Sequence, residues 1–205
     1  MKSLKQHIKE SFKIGRNKMT YYNYFPKTKD ELRKIIEERL KENSNADLND
    51  IDTSKITDMS LLFNKLDPHD INVSEWDVSN VENMFGMFAY CKNFKGIGLE
   101  NWDVSDVKDM SHMFEGCKNF NYNLGKWNVS NVEDMRYMFY LCNKFKGEGL
   151  ENWNVSNVEN MYLMFGSCKN LKCDLSKWDV SNVRHMDGIF TNCTSLKNKP
   201  SWYKV

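Results

Sequence analysis

The chain has 205 residues, and 29 Lys and Arg against 28 Asp and Glu leave a net charge of +1. That balance lacks the basic excess with which a general nucleic-acid binder neutralises phosphates, so no nucleic-acid partner is expected. Hydrophobic residues at 40% and only 3 Pro exclude long disordered tracts. No run reaches the ~18 apolar residues of a membrane-crossing helix, so membrane insertion is not expected.

In chain order, Leu4, Ile8 and Phe12 fall at helical spacing with lysines on the other faces, which predicts a first amphipathic helix. The segment lacks the apolar core and small-residue cleavage site of a secretory signal, so a cytoplasmic or virion-associated location is expected. It is similar to short N-terminal segments of some tailed-phage proteins, which begin MK, run as an amphipathic helix and carry a Glu-Ala or Glu-Ser pair, a form that Glu10-Ser11 fits. That similarity implies docking to an assembly; the plainer reading is one more piece of a cap. Residues 20–25, TYYNYF, read as a strand or extended link. In KTKDELRKIIEERLKEN, Thr28 stands three residues before Glu31, and Leu32, Ile35, Ile36 and Leu40 form an apolar stripe. This predicts a capped helix able to cover the raw end of a repeat array. The expected division is an N-terminal helical segment and cap over 1–45 and repeats over 46–205.

The repeats are marked by Trp76, Trp102, Trp127, Trp153, Trp178 and Trp202, at separations of 26, 25, 26, 25 and 24 residues. A degenerate copy opens at Ile51. Inserts KGIGLEN and KGEGLEN alternate with NYNLGK and KCDLSK, which suggests a unit of two coils, 51 residues long. In the copy at Trp76, Val81, Met84, Met87, Phe88 and Cys91 follow helical spacing. Ser79 and Glu82 form a possible capping box, repeated at Ser130–Glu133 and Ser156–Glu159 and broken by Lys108 and Arg184. Leu99, Trp102 and Val104 form a short apolar segment upstream. Each coil therefore reads as a short extended segment plus a short helix. Trp, Val, Met, Phe and Cys columns form the core, because each side chain meets its own counterpart one coil away.

The motif WDVSNVxxMxxMFxxC resembles the roughly 25-residue repeats of the bacterial surface-protein class related to BspA-type leucine-rich repeats, the DUF285 type of mycoplasma. The resemblance covers about residues 46–205. It implies an α+β repeat solenoid of leucine-rich-repeat-like, right-handed coils, a role in adhesion or protein binding, and no catalytic residues. It also implies a cell-surface location, although this chain departs from many relatives in having neither signal sequence nor lipoprotein cysteine.

Cys91, Cys117, Cys142, Cys168 and Cys193 form a column, with Cys173 outside it. Reduced, buried thiols are expected; the C-x2-C spacing of a zinc site is absent, and neither metal nor cofactor is expected. His7, His69, His112 and His185 share no column. The Ser79 column reads as caps, and the Asp77 column, alternating Asp and Asn, as Asx turns. With no acid–base–nucleophile set, the chain is not expected to be an enzyme. On a helical wheel, positions of the 85, 86, 89 and 90 type face or flank solvent. They place Arg136, Tyr137, Tyr140, Leu141, Tyr162 and Leu163 as partner-binding residues, of types enriched at binding hot spots. The plainer alternative is that such residues pack sideways between neighbouring helices. The expected function is a non-enzymatic, repeat-built, adhesion-like protein-interaction module. The alternative is a phage or virus structural or internal protein docked through its N-terminal helix.

Overall fold

The computed structural model describes residues 12–15 and 18–204. Strands β1 (Phe12–Gly15) and β2 (Lys18–Tyr21) pair antiparallel with Phe12 opposite Tyr21. Phe12, expected on a helix, stands in β1; Leu4, Ile8 and Glu10-Ser11 lie outside the described residues. Beyond β2 the chain runs extended, and Tyr24 forms a parallel bridge to Ile51.

Helix α1 (Lys29–Glu42) begins where the capping signal placed it. Thr28 Oγ1 accepts the Glu31 N–H at 3.2 Å, and Glu31 Oε2 accepts the Lys27 N–H at 2.7 Å. Leu32 and Ile36 are fully buried, and Ile35 and Leu40 partly so. Arg33 on the same helix donates to the carbonyls of Leu61 (2.6 Å), Leu62 (3.2 Å) and Asn64 (3.4 Å). The Leu62 and Asn64 carbonyls correspond to those of Met87 and Glu115, which accept N–H groups from the preceding repeat, so on this first repeat the guanidinium meets a need that apolar cover would leave open.

The α+β, leucine-rich-repeat-like solenoid expected from the sequence is overturned. Among the described residues the only regular elements are α1, the β1–β2 pair and two 3-10 turns, Leu99–Asn101 and Leu150–Asn152. No repeat contains the expected strand-plus-helix pair; the chain there runs through turns and isolated bridges. The backbone gives the reason. Met84, Gly86, Phe88 and Tyr90 donate N–H to the carbonyls of Asp109, Ser111, Met113 and Glu115 at 2.6 to 2.9 Å. Between them, Met87, Ala89 and Cys91 close three-residue turns onto Met84, Gly86 and Phe88. Alternate N–H groups thus serve the next repeat, and an α-helix cannot form.

Two columns also take left-handed backbone. Leu61, Gly86, His112, Tyr137, Leu163 and Gly188 have φ of +51° to +67°. Lys65, Tyr90, Gly116, Leu141, Ser167 and Asn192 have φ of +59° to +70°. Two such residues in every repeat are incompatible with a right-handed helix. A second Asx turn reinforces this: Asn83, Asp109, Asp134 and Asn160 accept the N–H two residues on, at 2.8 to 3.0 Å. The expected capping serines do other work, since Ser79 and Ser105 donate to Asp77 and Asp103 at 2.6 Å.

Repeats meet in register through parallel bridges linking Asp58, Asn83, Asp109, Asp134, Asn160 and His185 in turn. Their cores are aromatic. Phe88, Phe114, Phe139 and Phe165 stack with centroids 5.6 to 5.7 Å apart and planes within 11°. Each indole N–H from Trp76 to Trp202 donates to a carbonyl of an earlier repeat, as Trp127 does to Leu99 at 2.8 Å. Indole stacking occurs in pairs, Trp76–Trp102, Trp127–Trp153 and Trp178–Trp202, at 6.3 to 6.5 Å. The six cysteines are free. Each column thiol donates to the Phe carbonyl one repeat back, from Cys91 to Phe63 (3.2 Å) through Cys193 to Phe165 (2.9 Å). Burial drives the Cys91 thiol up to about 12 and Cys193 to about 11, so these side chains stay protonated.

Candidate partner-binding face

The two left-handed columns put their side chains on the outer surface of the turns, and rings gather there from several repeats. Phe85 meets His112 edge-on at 5.3 Å, His112 stacks on Tyr137 at 4.7 Å, and Tyr137 meets Tyr162 edge-on at 5.3 Å. Tyr140 joins through Tyr137 at 5.3 Å. Of the six residues expected to bind a partner, Tyr162 is exposed at 37%, while Arg136, Tyr137, Tyr140, Leu141 and Leu163 are half-buried. Arg136 is tied to Asp134 at 3.1 Å. The structure therefore brings Tyr137, Tyr140 and Tyr162 together, and three of the six (Tyr137, Leu141 and Leu163) occupy left-handed positions.

Sequence reasoning passed over Leu61 and Tyr90, which at 42% and 45% are more exposed than Tyr162. His112 and Glu115 also lie outside the six expected residues. Glu115 is a buried carboxylate at the centre of this face, held by the Tyr90 hydroxyl from the preceding repeat and by His112 Nδ1 at 2.6 Å. Burial alone raises its pKa, but the His112 and Tyr90 hydrogen bonds outweigh that and hold the carboxyl below its ordinary range. The same bond, aided by burial, lifts the Tyr90 phenol to about 12.

A signal for this arrangement was present in the glycines. Tyr90 lies over Gly116, where an added Cβ would stand 2.8 Å from Tyr90 Cδ1. Tyr140 covers Gly166 in the same way, Leu61 covers Gly86 and Leu163 covers Gly188, each at 2.8 Å. All four glycines follow a bulky residue in the same column one repeat earlier. Sideways packing between neighbouring repeats thus accounts for part of this face, through rings over glycines and not between helices.

The family model described as "Mycoplasma protein of unknown function, DUF285" matches residues 31–148 and 123–205. The chain belongs to the DUF285 family. The DUF285 match opens inside α1, so it takes in the helix that closes the first repeat along with the repeats themselves. No curated protein and no solved structure matched this DUF285 chain.

Proposed function

We propose that this DUF285 protein is a non-enzymatic, adhesion-like interaction module whose protein partner meets the aromatic face around Tyr137 and Tyr162. The observation that supports the reading is the continuous row of rings from Phe85 through His112 and Tyr137 to Tyr162, with Tyr90 and Tyr162 well exposed. Tyr anchors with a polar rim are the composition that interfaces favour. A catalytic reading lacks support in the reactive side chains. Column serines such as Ser79 are spent on Asx carboxylates, and the buried thiols are held protonated.

The experiment is capture of partners by the parent protein and by a Tyr137→Ser/Tyr140→Ser/Tyr162→Ser variant whose unfolding midpoint is measured alongside. Loss of Tyr137 and of Tyr162 is each expected to weaken the contact by about 1–2 kcal/mol or more, whereas Tyr140, which covers Gly166, contributes by holding Tyr137 in place. A folded variant that retains every partner would remove this face from consideration.

A further inference from the structure

The near-neutral total charge conceals a segregation. In the six residues that follow each column cysteine there are nine Lys against two acids, Glu148 and Asp174. Repeat stacking sorts seven of these lysines into two rows. Lys92, Lys118 and Lys169 follow their cysteines directly; Lys95, Lys146, Lys172 and Lys197 stand three residues further on. The register is fixed by backbone bonds. Asn119 donates to Lys92 O, Lys172 to Lys146 O and Ser195 to Lys169 O, all at 3.2 Å. Lys95 pairs with Asp70 at 2.9 Å and Lys146 with Glu148 at 3.6 Å. Lys92, Lys118, Lys169, Lys172 and Lys197 are exposed and have no ion pair among the described residues. Like charges stacked one repeat apart repel one another, so the rows oppose folding unless counter-charge lies along them.

We infer that this double row docks an acidic peptide segment of a partner protein, laid extended along the stacking direction. Four repeat steps from Lys95 to Lys197 at ~4.8 Å each cover ~19 Å, the reach of about six extended residues at ~3.3 Å. A cleft of about 450 Å³ lined by Lys172, Ser195, Leu196 and Lys197, with Asp174 as its one acid, offers room for one end of such a segment. The recognising chemistry is carboxylate to ammonium. No Arg fork stands in these rows for bidentate phosphate binding, and the ladder rings of the same segments, Phe94, Phe120 and Phe145, are buried. Within the rows themselves only the half-buried Tyr122 could stack on a base, which disfavours single-stranded nucleic acid. This docking row does not depend on the aromatic face being a binding site.

The test is fluorescence anisotropy of a labelled oligo-glutamate peptide at low and high salt. Oligo-glutamine of equal length, oligothymidylate and phosphatidylserine-containing vesicles are compared under the same conditions. Binding of oligo-glutamate that weakens steeply with salt is expected. Either row variant, Lys92→Gln/Lys118→Gln/Lys169→Gln or Lys95→Gln/Lys172→Gln/Lys197→Gln, should weaken it by about tenfold, because long-range charge sets such contacts. A control variant at equally exposed positions, Lys41→Gln/Lys55→Gln/Lys126→Gln, should change it by less than about twofold. Absence of oligo-glutamate binding at low salt, an equal loss in the control, or tighter binding of oligothymidylate or vesicles would each overturn the inference. All these lysines are exposed, so the control variant should keep the parent's melting curve, and the row variants, relieved of repulsion, should melt no lower than the parent.

Discussion

Gly116→Ala separates the structural part of the outer face from the part open to a partner. Gly116 has φ of +70°, and a Cβ there would stand 2.8 Å from Tyr90 Cδ1 and 3.2 Å from Cε1. The left-handed backbone costs an L-residue about 1–2 kcal/mol. Displacing the ring adds an overpacking term of about 1–3 kcal/mol and disturbs the Tyr90–Glu115 bond. The expected loss is roughly 2–5 kcal/mol, read from urea unfolding followed by tryptophan fluorescence. In a chain of this size that lowers the melting temperature by about 4–20 °C. The steric part needs the ring, so Tyr90→Ala/Gly116→Ala should be more stable than the sum of the single losses by about 1–2 kcal/mol. Additive single losses would refute the idea that Tyr90 is seated on Gly116. A Gly116→Ala variant as stable as the parent would refute the left-handed turn as well.

Three further outcomes follow from the core and from Glu115. Phe139 is fully buried between Phe114 and Phe165, so Phe139→Ala should cost about 3–5 kcal/mol in the same unfolding assay. Alkylation under native conditions should leave Cys117, Cys142 and Cys168 unmodified, with every thiol reacting after denaturation; mass spectrometry reads both. Glu115 has a folded pKa below its ordinary value. Its contribution is therefore complete above the usual carboxyl range near ~4.3 and is lost as pH falls through the lower folded value. The gap in urea midpoint between the parent and Glu115→Gln should accordingly close on acidification, and a constant gap would contradict the assignment.

The core was legible because a side chain that meets its own counterpart in the next repeat must keep its volume. Trp, Val, Met, Phe and Cys recur for that reason, and each column is buried except at the C-terminal end, where Val180, Val183, Met186 and Trp202 are only partly so. Helix α1 was legible from Thr28, Glu31 and the Leu32–Leu40 stripe. The repeat helix was misread because successive three-residue turns also return the chain to the inside every three or four residues. Met84, Met87, Phe88 and Cys91 thus carry a helical spacing without a helix. Contrary signs stood beside them. An Asp or Asn precedes the first Met in five copies, from Asp58 to Asn160, and glycines recur in the outer columns. Side chains that accept their own backbone N–H groups compete with a helix. What one sequence could not supply was the pairing of Tyr90 with Glu115, whose 25-residue separation acquires meaning only once the register is known.

The glycine covers also rank the tyrosines on the outer face. These columns vary from Gly to His, Tyr and Leu, as a surface that meets a partner can. Yet Tyr90 and Tyr140 are committed to the glycines beneath them, and Tyr90 further to Glu115. Truncating either should therefore lower stability before it affects binding. Tyr137 and Tyr162 carry no glycine cover. They meet each other edge-on at 5.3 Å, and Tyr162 is the more exposed of the two. If the aromatic face receives a partner, Tyr162→Ser and Tyr137→Ser should weaken that contact while moving the urea midpoint little. Tyr140→Ser should do the reverse, lowering the midpoint and weakening the contact only through misplacement of Tyr137. Measuring both quantities for all three single variants distinguishes the cases. Binding losses that track stability losses would make the row of rings a cover for the repeats alone, with the lysine rows left as the surface that recognises a partner.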